Sequence, residues 1–126
     1  MNIHCLGIDW GTVRIGLALG DTEIKLASPI GSVGSLEAVL ELAKNEKIEL
    51  LVVGRPDHAH GQQRPENEAF KAFVEALEAQ SGLPVTLVDE RFSSQAADKL
   101  GMGTKRDGTR DAVAAMLILQ SYFDSL

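Results

Sequence analysis

Two hydrophobic rhythms divide the chain. Residues 3–10 and 15–20 are runs of mainly aliphatic side chains separated by Gly11-Thr12-Val13-Arg14, which predicts two strands joined as a hairpin. A third extended run covers 25–33. The rhythm then changes. After Ser35, a residue suited to cap a helix, Leu36, Val39, Leu40 and Ala43 recur at helical spacing and predict a helix ending near Asn45 to Lys47. Residues 49–54 (ELLVVG) are nearly all apolar, the pattern of a strand covered on both faces in a parallel sheet. A polar loop at 55–64 leads to Pro65, which fits the first turn of a helix carrying Phe70, Phe73, Val74 and Leu77 on one stripe. Gly82 and Pro84 close it. Residues 84–89 (PVTLVD) predict a last buried strand, and Ser93 or Ser94 caps a short helix ending near Gly101. Thr109 caps a final helix with little polar face, which is expected to lie deep against the sheet.

The predicted order is β-β-β-α-β-α-β-α-α, a meander followed by alternating strands and helices. It implies an α/β fold with a mixed five-stranded sheet and helices on both faces. One domain spanning residues 1–126 accounts for the pattern, without internal repeat or linker.

Composition narrows the class. With 126 residues, 44% apolar and 24% charged, the chain can build one hydrophobic core without disulfides. Its single cysteine, Cys5, excludes an internal disulfide and a zinc finger, and favours a reducing, cytoplasmic setting. No apolar run has the length of a membrane span, and the first residues lack the basic flank of a signal peptide, so no membrane association is expected. A formal charge of −6 is the wrong sign for a protein that merely coats nucleic acid. The charge is uneven, however. Lys99, Lys105, Arg106 and Arg110 cluster with Asp107 alone opposing them, whereas the acids gather on the helices, Glu37, Glu41, Glu46 and Glu49 on the first and Glu66, Glu68, Glu75 and Glu78 on the second. Solvated helix faces explain the latter.

Three acids fall where an α/β sheet places function, at strand ends and helix starts. Asp9 closes the first strand, Glu90 follows the last, and Asp111 lies in the first turn of the final helix. Each has a plain structural role available: turn capping for Asp9, an exposed ion pair for Glu90, the helix dipole for Asp111. Their joint placement says more. If the first, fourth and fifth strands are adjacent and parallel, Asp9 and Glu90 open on one edge, and Asp111 joins them if the last helix begins there. Carboxylates so gathered repel one another, and a hard dication, Mg²⁺ or Mn²⁺, suits an all-oxygen donor set. The run Asp9-Trp10-Gly11-Thr12 with Arg14 and Gly16 adds a backbone-exposing turn and a cation beside the first acid, as a phosphate-handling site needs. His58 and His60 lack a third metal partner and read as loop surface.

The runs from Leu6 to Gly16, Val53-Gly54-Arg55-Pro56, Asp89-Glu90-Arg91-Phe92-Ser93-Ser94 and Arg110-Asp111-Ala112-Val113-Ala114-Ala115 before Ile118 to Phe123 resemble the YqgF family. That family is described as pre-16S rRNA nucleases and as Holliday-junction-resolvase-like proteins of the ribonuclease H superfamily. The resemblance implies a ribonuclease H-like fold with catalytic, metal-holding acids at Asp9, Glu90 and Asp111. The chain departs from the family pattern at Val13, Arg55 and 57–61, none of them a proposed ligand.

The expected activity is metal-dependent phosphodiester hydrolysis using Mg²⁺ or Mn²⁺, with Gly11, Thr12, Arg14, Lys105 and Arg106 holding the substrate strand. Structured RNA, at the 5′ end of precursor 16S rRNA, is the favoured partner, with branched DNA as the alternative and a monomer or homodimer as the assembly. Two other classes share parts of this pattern. Asp-x-Gly-Thr in a first hairpin also opens the actin and sugar-kinase nucleotide-binding proteins, which have two such lobes, and a nucleic-acid binder without turnover needs the basic residues but not the acids.

Overall fold

The computed structural model describes residues 1–55, 65–89 and 108–126. Five strands, β1 (His4–Asp9), β2 (Ile15–Asp21), β3 (Ser28–Val33), β4 (Leu50–Arg55) and β5 (Val85–Asp89), form one mixed sheet in the order β3-β2-β1-β4-β5. β1 pairs antiparallel with β2 and parallel with β4, and β4 pairs parallel with β5. The carboxyl ends of β1, β4 and β5 therefore open along one edge, as the expected site requires. Among the described residues three helices, α1 (Leu36–Asn45), α2 (Pro65–Ser81) and α3 (Gly108–Asp124), cover the two faces.

Strand alternation assigns each face its helices. Leu6, Ile8, Leu17, Leu51 and Val53 point to the side where Val39 and Ala43 of α1 and Phe70, Phe73 and Leu77 of α2 complete a core. Cys5, Ala18, Leu50 and Val52 point the other way, against Ala115, Ile118, Leu119 and Phe123 of α3. That last helix crosses all five strands. The mixed five-stranded sheet with helices on both faces is a ribonuclease H-like arrangement, and it agrees with the expected fold class.

The local signals act as expected at most boundaries. Ser35 Oγ accepts the amide of Ala38 at 3.2 Å and caps α1. Its far end closes with Glu46 bonded back to Leu42 at 2.9 Å and Lys47 in the left-handed region at φ 55°. Gly82, at φ 69°, ends α2 in the same way, with its amide on the Glu78 carbonyl at 3.1 Å.

Four boundary readings need correction. β3 begins at Ser28, not at residue 25, because Asp21 folds the preceding segment into a turn: its Oδ1 accepts the amides of Glu23 and Ile24 at 3.1 and 2.8 Å, and Lys25 takes a positive φ of 59°. Glu49 is not on α1, since its amide already donates to the His4 carbonyl at 2.8 Å ahead of β4. β5 is half-buried instead of buried, with Leu87 44% exposed, because among the described residues it is an edge strand paired to β4 alone. Thr109 lies inside the first turn of α3, which begins at Gly108. The helix expected between Ser93 and Gly101 lies outside the described residues.

Candidate active site

Asp9 ends β1 on the α3 side of the sheet, where Cys5 and Gly7 precede it at alternate positions. At 8% exposure it is the one charged side chain in the buried class among the described residues, and its Oδ1 is sealed from solvent. Burying a carboxylate is costly unless the surroundings compensate its charge.

Small residues bring Asp111 to it. Asp9 lies directly across the β1–β2 ladder from Gly16, and residues so paired have α-carbons about 5 Å apart. Gly16 in turn lies beneath the first turn of α3. A Cβ at Gly16 would run into the Asp111 carbonyl and stand 2.9 Å from the Asp111 Cβ. The next positions along this side repeat the contact: a Cβ on Gly7 would meet the Ala115 carbonyl and the Leu119 Cβ at 2.8 Å each. The absence of side chains on the strands thus lowers the backbone of α3 onto the sheet and sets its acidic first turn against the end of β1.

Arg14, from the loop between β1 and β2, completes the arrangement. Its Nε donates to Asp111 Oδ2 at 2.8 Å, with the arginine side chain 38% and the aspartate 19% exposed. A charge-assisted bond between partly buried partners contributes on the order of 1 kcal/mol. Arg14, expected to meet substrate phosphates, bonds an expected metal ligand in the structure. The loop it comes from is tight. A Cβ on Gly11 would stand 2.7 Å from the Arg14 carbonyl, and Thr12 and Val13 are exposed at its tip. Trp10 turns to the opposite face and packs edge-on against Phe70 at a centroid distance of 5.8 Å, which anchors the residue next to Asp9.

The structure thus brings together Asp9, Asp111, Arg14 and Gly11, four of the expected site residues, with Thr12 nearby on the loop. Asp89 ends β5 level with Arg55 on β4, at the same sheet edge. Glu90, Lys105 and Arg106, together with His58, His60 and Asp107, lie outside the described residues. No group of three or more His, Cys, Asp and Glu residues able to hold a metal occurs among the described residues. The Asp9–Asp111 neighbourhood supplies two carboxylates, an all-oxygen donor set that fits a hard dication once a further oxygen ligand joins it.

Gly7 carries a role that the sequence pattern did not disclose. Its signal was present: Gly7, Gly16, Ala18 and Gly20 recur at alternate strand positions, the pattern of one sheet face kept bare for a close helix.

Comparison with known proteins adds a family and a fold. The profile described as "RuvX: Holliday junction resolvase" matches residues 3–125. Among the relatives is a protein of Methylobacillus flagellatus, 37% identical over 132 residues, covering 96% of this chain and 90% of its own. Another, from Bacillus subtilis, is 36% identical over 138 residues, covering 98% and 99%. Both carry the name pre-16S rRNA nuclease. Among solved structures, Thermus thermophilus RuvC in complex with a Holliday junction substrate superposes with a TM-score of 0.62 at 19% identity, over 98% of this chain and 95% of that one. The large terminase nuclease of phage G20c gives 0.55 at 13% identity, over 96% and 82%. At these identities the likeness concerns the fold alone.

Proposed function

This chain belongs to the YqgF/RuvX family of ribonuclease H-like nucleases, and on that premise we propose that it is a divalent-metal-dependent endonuclease that processes the 5′ end of precursor 16S rRNA. The observation that carries the reading is the buried Asp9 at the end of β1, across the ladder from the glycine on which Asp111 rests. A chain built only for stability has little use for a carboxylate there.

Asp9 and Asp111, joined by Glu90 directly after β5 in sequence, would hold Mg²⁺ or Mn²⁺. When bound, such an ion supplies an activated water and neutralises charge at the phosphodiester. The protein's part is to orient. The Gly11-Thr12 turn exposes backbone beside Asp9, and Lys105, Arg106 and Arg14 are the cations available to phosphates. Binding through phosphates gives salt-sensitive, weakly sequence-selective affinity. No helix among the described residues is long and apolar enough to cross a membrane, and a cytoplasmic setting fits a ribosomal substrate.

The test is Asp9→Asn. Cleavage of a precursor 16S rRNA fragment falls by at least about 100-fold, consistent with losing several kcal/mol of metal-assisted stabilisation. The melting temperature of the metal-free variant is unchanged or slightly higher, because a buried negative charge is gone. Its Mg²⁺-induced rise in melting temperature is smaller than in the parent. Full activity in this variant ends the proposal.

Branched DNA is the second reading, favoured by the resolvase description of the family profile over residues 3–125. Symmetric cutting of two strands calls for a two-fold dimer. Sedimentation of a monomer alone, with and without junction DNA, counts against it.

A further inference from the structure

We propose that Arg14 is an internal counter-ion of the acidic site: it holds Asp111 while no dication is bound, and a divalent cation must displace it to use that carboxylate. The inference deepens the nuclease reading and rests on it for the role of Asp111.

Four features carry it. The contact is direct, from Arg14 Nε to Asp111 Oδ2 at 2.8 Å, so the carboxylate that a cation would use already has one of its two oxygens accepting from another positive group. Asp111 itself has little freedom to turn elsewhere. Its backbone is pressed onto Gly16 across the ladder from the buried Asp9, and its carboxylate is only 19% exposed. The exchange is also a trade of one cation for another, because a guanidinium keeps its charge at every accessible pH. Arg14 has somewhere to go: it is 38% exposed, and Val13 beside it is 77% exposed, so the side chain borders open solvent. Released there, it is a solvent-facing cation that a phosphate can approach.

A plain structural pin between the hairpin loop and α3 would show the same bond. The two roles differ in what happens to metal affinity when the arginine is removed. A pin holds the ligand in place, so its loss weakens or leaves unchanged the binding of a dication. A competing counter-ion lowers that affinity, so its loss strengthens it.

The experiment is titration of the full chain with Mn²⁺ alone, followed by the disappearance of the free-ion electron spin resonance signal, for the parent, Arg14→Gln, Arg55→Gln, Asp9→Asn and Asp111→Asn. Arg14→Gln is expected to bind Mn²⁺ at least threefold more tightly than the parent while melting at a lower temperature without metal. Arg55→Gln removes the same charge from an exposed position at the same sheet edge and is expected to leave the affinity unchanged. Equal or weaker Mn²⁺ binding by Arg14→Gln overturns the proposal, as does equal tightening by Arg55→Gln, which would make net charge the cause. Should Arg14→Gln fail to fold, Arg14→Lys takes its place. It keeps the charge but loses the planar fork, and about twofold tighter binding is expected, with no change counting against the idea. The nuclease reading fails separately, if the parent takes up no saturable Mn²⁺ or if Asp9→Asn and Asp111→Asn bind it as the parent does.

Discussion

The two faces of the sheet are built to opposite rules. On one, branched aliphatic side chains of β1, β2 and β4 interlock with Val39, Phe70, Phe73 and Leu77, and bulk holds α1 and α2 at side-chain distance from the strands. On the other, Gly7, Gly16 and Gly20 leave the strands bare, and the backbone and ring atoms of α3 approach to where a methyl group would collide. The first face is a packed core whose chief product is stability. The second gives up some apolar volume and gains position, because a helix lying on glycine is held by backbone contact instead of by rotatable side chains. The acids sit on the second face.

That contrast can be broken from either side. Truncating Leu77→Ala in the bulky core removes a fully buried side chain and is expected to cost about 2–5 kcal/mol in a denaturant titration. Mn²⁺ affinity of the folded variant stays at the parent value, and a parallel loss of metal binding would mean that the faces are not independent.

Adding one methyl to the bare face reverses the balance. Gly16→Ala forces the Asp111 backbone away from β2 and is expected to cost about 1–3 kcal/mol, with a drop in cleavage of at least about 10-fold in the variant that remains folded. Parent-level cleavage by Gly16→Ala would show that the close approach of α3 is not what sets the site.

A smaller effect comes from Cys5, fully buried on the α3 side. Burial, then the nearby Asp21 and Glu49, push its thiol up to about 11. The folded chain keeps this proton while the unfolded chain releases it, so stability is complete below pH 9 and falls as pH rises toward 11. Cys5→Ala should flatten that part of the pH–stability profile. At pH 8 the native thiol should resist alkylation, and rapid modification would show that this face opens.

Most of the element order was legible in sequence because periodicity is a local property. The 3.6-residue stripe of α1 and the apolar run of β4 need only their own residues to declare themselves, and Ser35, Gly82 and Pro84 mark their ends by backbone chemistry. β3 was misjudged at its start because the Asp21 side chain captures two amides that an extended strand would have left open. The burial of β5 is not legible in the same way, because an apolar run does not say how many neighbours a strand has. Of the site, Asp9 and Asp111 could be named from strand end and helix start, but Arg14 could not be assigned its partner, which lies 97 residues along the chain.

What the sequence determined alone is the described strands and helices, their order, and the placing of Asp9 at a strand end and Asp111 at a helix start, since each follows from the short-range steric and capping preferences of neighbouring residues. Tertiary structure alone decided that Gly16 would lie under Asp111 and that Arg14 would reach it. Such contacts join strands and a helix that meet only when the sheet closes, and how near they come is set by side chains that are absent as much as by those present.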